Sequence, residues 1–133
     1  QANADYLRTL GADQVIDYKS ERFETIAKNI DLVVDLIGGE TQTRSFAVLE
    51  RGGALVATAQ TPSQAEAARA KVRAVMMSMN ASTAGLTQLA ELIDQGKLKT
   101  AVTQTYALSQ AAKAWTYGKS GHTRGKVALR IEP

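Results

Sequence analysis

Few side chains in this chain are of a type that makes or breaks bonds. The single histidine, His122, lies in Ser120-Gly121-His122-Thr123-Arg124-Gly125. An imidazole there can act as an acid-base group or a ligand contact; the plainer reading is a surface loop residue. With no cysteine and no second histidine, a zinc site would have to be built from carboxylates, a poor match to zinc's usual nitrogen and sulfur donors. The acidic residues occur as isolated helix charges, so the two-carboxylate chemistry of glycosidases has no support. Neither a G-x-S-x-G nucleophile elbow nor a G-x-x-x-x-G-K-[ST] phosphate loop is present. What remains is suited to binding. Gly38-Gly39 and Gly52-Gly53 would let a ligand approach the main chain, although turn and helix-stop roles are the plainer reading of both pairs. Tyr18 is either a half-exposed packing residue or a phosphate or ribose contact. Arg124 and Lys126 are either solvated charges or phosphate clamps.

The elements that must position these residues centre on Asp31 to Ala59. Leu32-Val33-Val34-Asp35-Leu36-Ile37 is a nearly continuous apolar run, as expected of a strand covered on both faces. Gly38-Gly39 then turns into a helix with Phe46, Ala47 and Leu49 on one face. Gly52-Gly53 stops it, and Ala54 to Thr58 reads as a second buried strand. A strand-helix-strand unit of this kind pairs its strands in parallel. Ligands in such folds bind beyond the carboxyl ends of the strands, which places Ile37-Gly38-Gly39 and Thr58-Ala59-Gln60 at a site.

Upstream, Asn3 is positioned to cap a short helix carrying Tyr6, Leu7 and Leu10, closed by Gly11. Val15-Ile16 forms a short strand core, and Ser20 caps a helix with Phe23, Ile26, Ala27 and Ile30 at helical spacing. Downstream, Ser63 and Glu66 form a capping box that starts a helix running to about Lys71. Val72 to Met79 is a strand whose methionines suit core or interface packing better than a flexible binding groove. A helix opened by Ser82 or Thr83 carries Leu86, Leu89, Ala90 and Ile93 in one stripe and stops at Gly96. Val102 to Tyr106 is a strand. Leu108-Ser109 caps a helix with Ala111, Ala112 and Trp115 inward, and Lys126 to Ile131 closes the chain as a strand. Strands alternating with helices specify an α/β fold with a mainly parallel sheet.

Composition sets the outer limits. A chain of 133 residues, 44% hydrophobic but only 5% aromatic, can bury one aliphatic core. Its net charge of +3 comes from 16 basic residues scattered among 13 acidic ones, with no basic face for a nucleic acid. Without a signal-peptide pattern or an apolar run near about 18 residues, no membrane span is expected, and a cytoplasmic location is. Helical character begins at once after Gln1, as though the chain continued something longer.

Taken as strings, Leu10-Gly11-Ala12-Asp13, Val15-Ile16-Asp17-Tyr18, Asp31 to Gly39, Leu49 to Val56 and the closing Gly121-His122-Thr123-Arg124-Gly125-Lys126-Val127-Ala128-Leu129 resemble the medium-chain dehydrogenase/reductase superfamily. The likeness is to its zinc-independent, quinone-oxidoreductase-like branch, which is also alcohol dehydrogenase-like, and to the carboxyl-terminal portion only. It implies an α/β, partial Rossmann-type doubly wound, mainly parallel sheet lacking its first two strands. Residues 1–133 would be the end of a dinucleotide-binding domain, with 100–133 returning towards an absent catalytic domain. The glycine-rich fingerprint such domains place after the first strand is not in this sequence. The resemblance puts Asn3 and Tyr18 at the adenosine ribose or its 2′-phosphate, which favours NADP. It puts Ile37, Gly38, Thr58 and Ala59 beside the nicotinamide half, and the segment holding Arg124 near the nicotinamide. No catalytic residue and no metal ligand is carried over.

The expectation is therefore a cofactor-domain fragment of an NADPH-dependent oxidoreductase acting on a small-molecule quinone or activated alkene. Alone it would bind NADPH weakly or not at all and turn nothing over. In the usual strand order, the neighbours of the Val15 and Leu32 strands are absent. Either Val15 moves over to pair with Leu32, or two chains share edges as a homodimer. The alternative is a free-standing α/β interaction or regulatory module.

Overall fold

The computed structural model describes residues 3–121 and 123–131. They fall into two compact units, up to Asn80 and from Ala81 onward. Among the described residues no helix is long and apolar enough to cross a membrane.

The first unit is built on a three-stranded parallel sheet in the order β1-β2-β3, with β1 Ile30–Asp35, β2 Leu49–Ala57 and β3 Arg73–Met76. Helix α1 (Ala4–Thr9) and the single turn α2 (Phe23–Ile26) precede it, and α3 (Gly39–Ser45) and α4 (Gln64–Ala70) make the crossovers. The Leu32 and Leu55 segments thus lie side by side and run the same way, as expected.

Alternation along the strands sorts the two faces. Leu55 pairs with Val33 on one side and Ala74 on the other, and this layer packs with Phe46, Ala57 and Ala67 as the core. Leu55 is fully buried, which stabilises the fold by about 1.5–3 kcal/mol. The opposite layer is Val34, Val56 and Val75. Leu32, Val34 and Val75 there are each more than half exposed, so β1 is not covered on both faces as its apolar run predicts. The reason is topological. Strands added in one direction by right-handed crossovers put both connecting helices on the same face.

Glycine 52 and 53 do not stop a helix. Helix α3 ends at Phe46, and both glycines, with Leu49, lie inside β2. The register jumps from Ile30 opposite Leu49 to Leu32 opposite Ala54, a bulge of the kind that calls for glycine. Gly52 has φ +88°, and a Cβ on Gly53 would lie 3.0 Å from the carbonyl oxygens of Asp31 and Glu50.

Val15-Ile16 forms no strand and is in none of the described ladders. The move towards Leu32 therefore does not occur. The helix expected after Ser20 shrinks to Phe23–Ile26, because Ala27 is extended, Asn29 has φ +55° and Ile30 already belongs to β1. Asn3 precedes α1 but its side chain makes no cap hydrogen bond, while Gly11 closes the helix as expected, with Ala12 N donating to Leu7 O. Ser63 caps α4 by accepting from Glu66 N at 3.2 Å. Strand β3 is shorter than the sequence suggests, and Met77 and Met79 beyond it are exposed rather than in the core.

In the second unit α5 (Thr83–Asp94) is capped by Ser82, which accepts from Gly85 N at 3.1 Å. Its Leu86, Leu89 and Ile93 stripe is exposed. Strands β4 (Val102–Ala107) and β5 (Lys126–Arg130) pair in parallel. A 3₁₀ turn (Leu108–Gln110) leads into α6 (Ala111–Gly118) between them. Ala114 is the buried residue of α6; Trp115, expected inward, is 71% exposed with Lys119 above its ring.

Candidate functional site

The carboxyl ends of β1 and β2 are joined by a polar network that no sequence motif announces. Asp35, the last residue of β1, is 4% exposed. Its Oδ1 accepts from Ile37 N and Gly38 N, both at 3.0 Å. This is the local turn that an aspartate side chain forms with backbone two and three residues on. Its Oδ2 accepts from Gln42 Nε2 at 2.9 Å, and the same amide nitrogen donates to Gln60 O at 2.9 Å. Both partners of Nε2 are acceptors, which settles the orientation of the Gln42 amide. Gln60 Oε1 in turn accepts from Gly39 N at 2.8 Å. Thr58 N donates to Asp35 O at 3.0 Å.

Gly38 is what lets the two strand ends approach so closely. Its φ of +78° is disfavoured for other residues, and a Cβ there would stand 3.0 Å from Gln60 Cβ and 3.7 Å from Ala59 Cβ. Burial alone would push the Asp35 carboxyl upward. The Gly38 and Ile37 amides and the Gln42 side chain outweigh it, and the net direction is down. Asp35 is thus an anion held in place by three donors of its own fold, the Ile37 and Gly38 amides and the Gln42 side chain. Leu36 and Ile37 project into solvent beside it as an apolar rim. The site offers a fixed backbone edge flanked by aliphatic surface, suited to a flat ligand with a polar margin.

Of the residues singled out in the sequence, Ile37, Gly38, Thr58 and Ala59 come together here. Asn3 stands at the start of α1, and Tyr18, 73% exposed, lies in the turn where Asp17 Oδ1 accepts from Lys19 N. Arg124 belongs to the second unit, where its carbonyl accepts from the Thr103 hydroxyl. His122 lies outside the described residues. Gln60 also lies here, as its place past the second strand led one to expect, whereas Asp35 and Gln42 were not singled out. The one signal for Asp35 was a carboxylate inside an apolar strand run; nothing local marked Gln42, 7 and 18 residues away from its partners Asp35 and Gln60. Among the described residues no three His, Cys, Asp or Glu side chains converge as metal ligands.

Comparison with known proteins gives a consistent picture. A family model described as zinc-binding dehydrogenase matches residues 10–129. The mitochondrial NAD(P)H oxidoreductase RTN4IP1 of Homo sapiens is 29% identical, over 98% of this chain and 40% of its own length. The chloroplastic quinone-oxidoreductase QR1 of Triphysaria versicolor is 28% identical, over 98% and 42%. The chain thus spans about two fifths of the length of the curated relatives it matches. Among solved structures, the quinone oxidoreductase from Coxiella burnetii superposes with a TM-score of 0.87 at 27% identity, covering 99% of this chain and 43% of that one.

Proposed function

The chain belongs to the zinc-binding dehydrogenase family, in the quinone-oxidoreductase-like part of the medium-chain dehydrogenase/reductase superfamily, and from that premise we propose that it is the carboxyl-terminal part of the cofactor domain of an NADPH-dependent oxidoreductase. The complete protein would reduce a quinone or an activated alkene. The observation that carries this reading is the buried Asp35 network, which shapes the carboxyl ends of β1 and β2, where a parallel α/β sheet binds its ligand.

The fit is partial. The Ile37-Gly38 edge and Thr58-Ala59 suit the nicotinamide half: a flat ring can rest on aliphatic surface while its polar margin meets fixed backbone. No glycine-rich phosphate loop occurs in the sequence, so these residues lack the usual seat for a pyrophosphate. When bound, the dinucleotide supplies the hydride; the work of this chain is to bind and orient it and to keep the strand-end backbone rigid. Asn3 and Tyr18, through the family resemblance, would serve the adenosine ribose and its 2′-phosphate. The donor set does not fit the zinc of the family's name, since the chain has no cysteine and one histidine.

A thermal-shift titration with NADPH and with NADH tests the proposal. The complete product of the reading frame should be stabilised by both, more by NADPH, and by about 2.7 kcal/mol at a hundredfold excess over Kd. The 133 residues alone should shift little and reduce no quinone. A complete product that ignores both dinucleotides would end this reading.

A further inference from the structure

Two buried polar side chains of the first unit, Asp35 and Gln42, each 4% exposed, are hydrogen-bonded to each other and to the backbone of both strand ends. A fold that only needed a core there would be as well served by an aliphatic pair, since buried charge costs solvation that hydrogen bonds merely offset. The pattern of contacts indicates what the pair does instead. Asp35 Oδ1 sets the direction of the Ile37 and Gly38 amides. Gln42 carries the constraint across to Gln60 O, and Gln60 Oε1 returns it to Gly39 N at 2.8 Å. The loop is closed: three side chains tie the outgoing chain of β1 to the outgoing chain of β2.

We infer that Asp35, Gln42 and Gln60 form a latch that positions the strand-end backbone of β1 and β2, with Asp35 as its positioning residue and the carboxamide-bearing nicotinamide end of a dinucleotide as the ligand it serves. This rests on the cofactor-domain reading above. Asp35 and Gln42 act through the backbone they hold, not by touching the ligand. The latch has a polarity that makes it testable. In Asp35→Asn the retained oxygen still accepts from Ile37 N and Gly38 N, but the new amide nitrogen faces Gln42 Nε2, donor against donor. If Gln42 turns over to correct this, its oxygen faces Gln60 O, acceptor against acceptor. Either way one link is lost while size and shape are kept.

The experiment measures NADPH affinity and steady-state quinone reduction for the complete product of the reading frame, well below every variant's melting temperature. Asp35→Asn should raise the NADPH Kd about tenfold, the loss of one good hydrogen bond's worth of ordering, with KM for NADPH rising by more than kcat falls. Gln60→Ala, at an exposed position that leaves folding intact, should weaken NADPH about threefold by freeing Gly39 N. Val48→Ala, in the core away from the latch, should lower the melting temperature and leave Kd alone. Wild-type affinity in both latch variants overturns the inference, as does an equal loss in Val48→Ala, which would reduce the network to a stability element. A wild-type protein that binds neither NADPH nor NADH removes the functional reading itself, and the inference with it.

Discussion

At the scale of single residues, the site is decided by where hydrogen bonds to one carboxylate go. Because the Asp35 carboxyl is held below its ordinary value of 3.8, its ionised form is favoured by folding. The stability it contributes is complete above that value and is lost as pH falls through the lower folded-state value. Urea denaturation of wild type and Asp35→Asn as a function of pH should therefore show the difference between them shrinking below about pH 4; a constant difference there would show that Asp35 is not the group responsible. Gly38 gives a second test. Gly38→Ala must place a Cβ 3.0 Å from Gln60 Cβ at φ +78°, so it should destabilise by roughly 2 kcal/mol in the same assay. An alanine that is tolerated would mean the turn is not locked against Gln60. Neither effect was legible locally: Gly38-Gly39 was visible as a turn or a ligand approach, but its tight neighbour is 22 positions further along the chain.

At the scale of elements, what read cleanly were ends with local chemistry. Ser63 and Ser82 cap α4 and α5 through their own side chains, and Gly11 and Gly96 take the left-handed positions that close α1 and α5. Each involves residues within a few positions of one another, so spacing is enough to find them. Ser63→Ala should lower stability by about 1 kcal/mol, read from the urea midpoint at unchanged slope; no change would mean that water replaces the cap without cost. What misread were elements whose fate depends on a distant partner. Val15-Ile16 has strand residues but joins none of the described ladders, and Gly52-Gly53 has the look of a helix stop but serves a bulge against Asp31. Phe46 and Leu49 have helical spacing and yet divide between a helix end and a strand, because Leu49 pairs with Ile30.

At the scale of the whole molecule, the α/β parallel architecture was recognisable from the order of apolar runs and glycine turns, whereas the family was recognisable only through the resemblance of particular strings such as Asp31 to Gly39. The runs and turns follow from steric and solvation rules that act along the chain. The open layer of Leu32, Val34 and Val75 and the edge strands β1 and β3, which pair with no further strand among the described residues, give the chain a route to self-association. Sedimentation velocity on the 133 residues should reveal concentration-dependent species above the monomer, which Val34→Lys suppresses; a clean monomer at high concentration would refute it. The amino-acid sequence by itself determined the α/β alternation around β1 and β2, the serine caps of α4 and α5 and the glycine closures of α1 and α5, because each of these is settled by side chains a few residues apart. Only the tertiary structure decided that Asp35, Gln42 and Gln60 form one network, and that one face of the sheet stays uncovered. A buried carboxylate takes whatever donors the fold brings to it, and the face a crossover helix covers depends on the order in which strands are added.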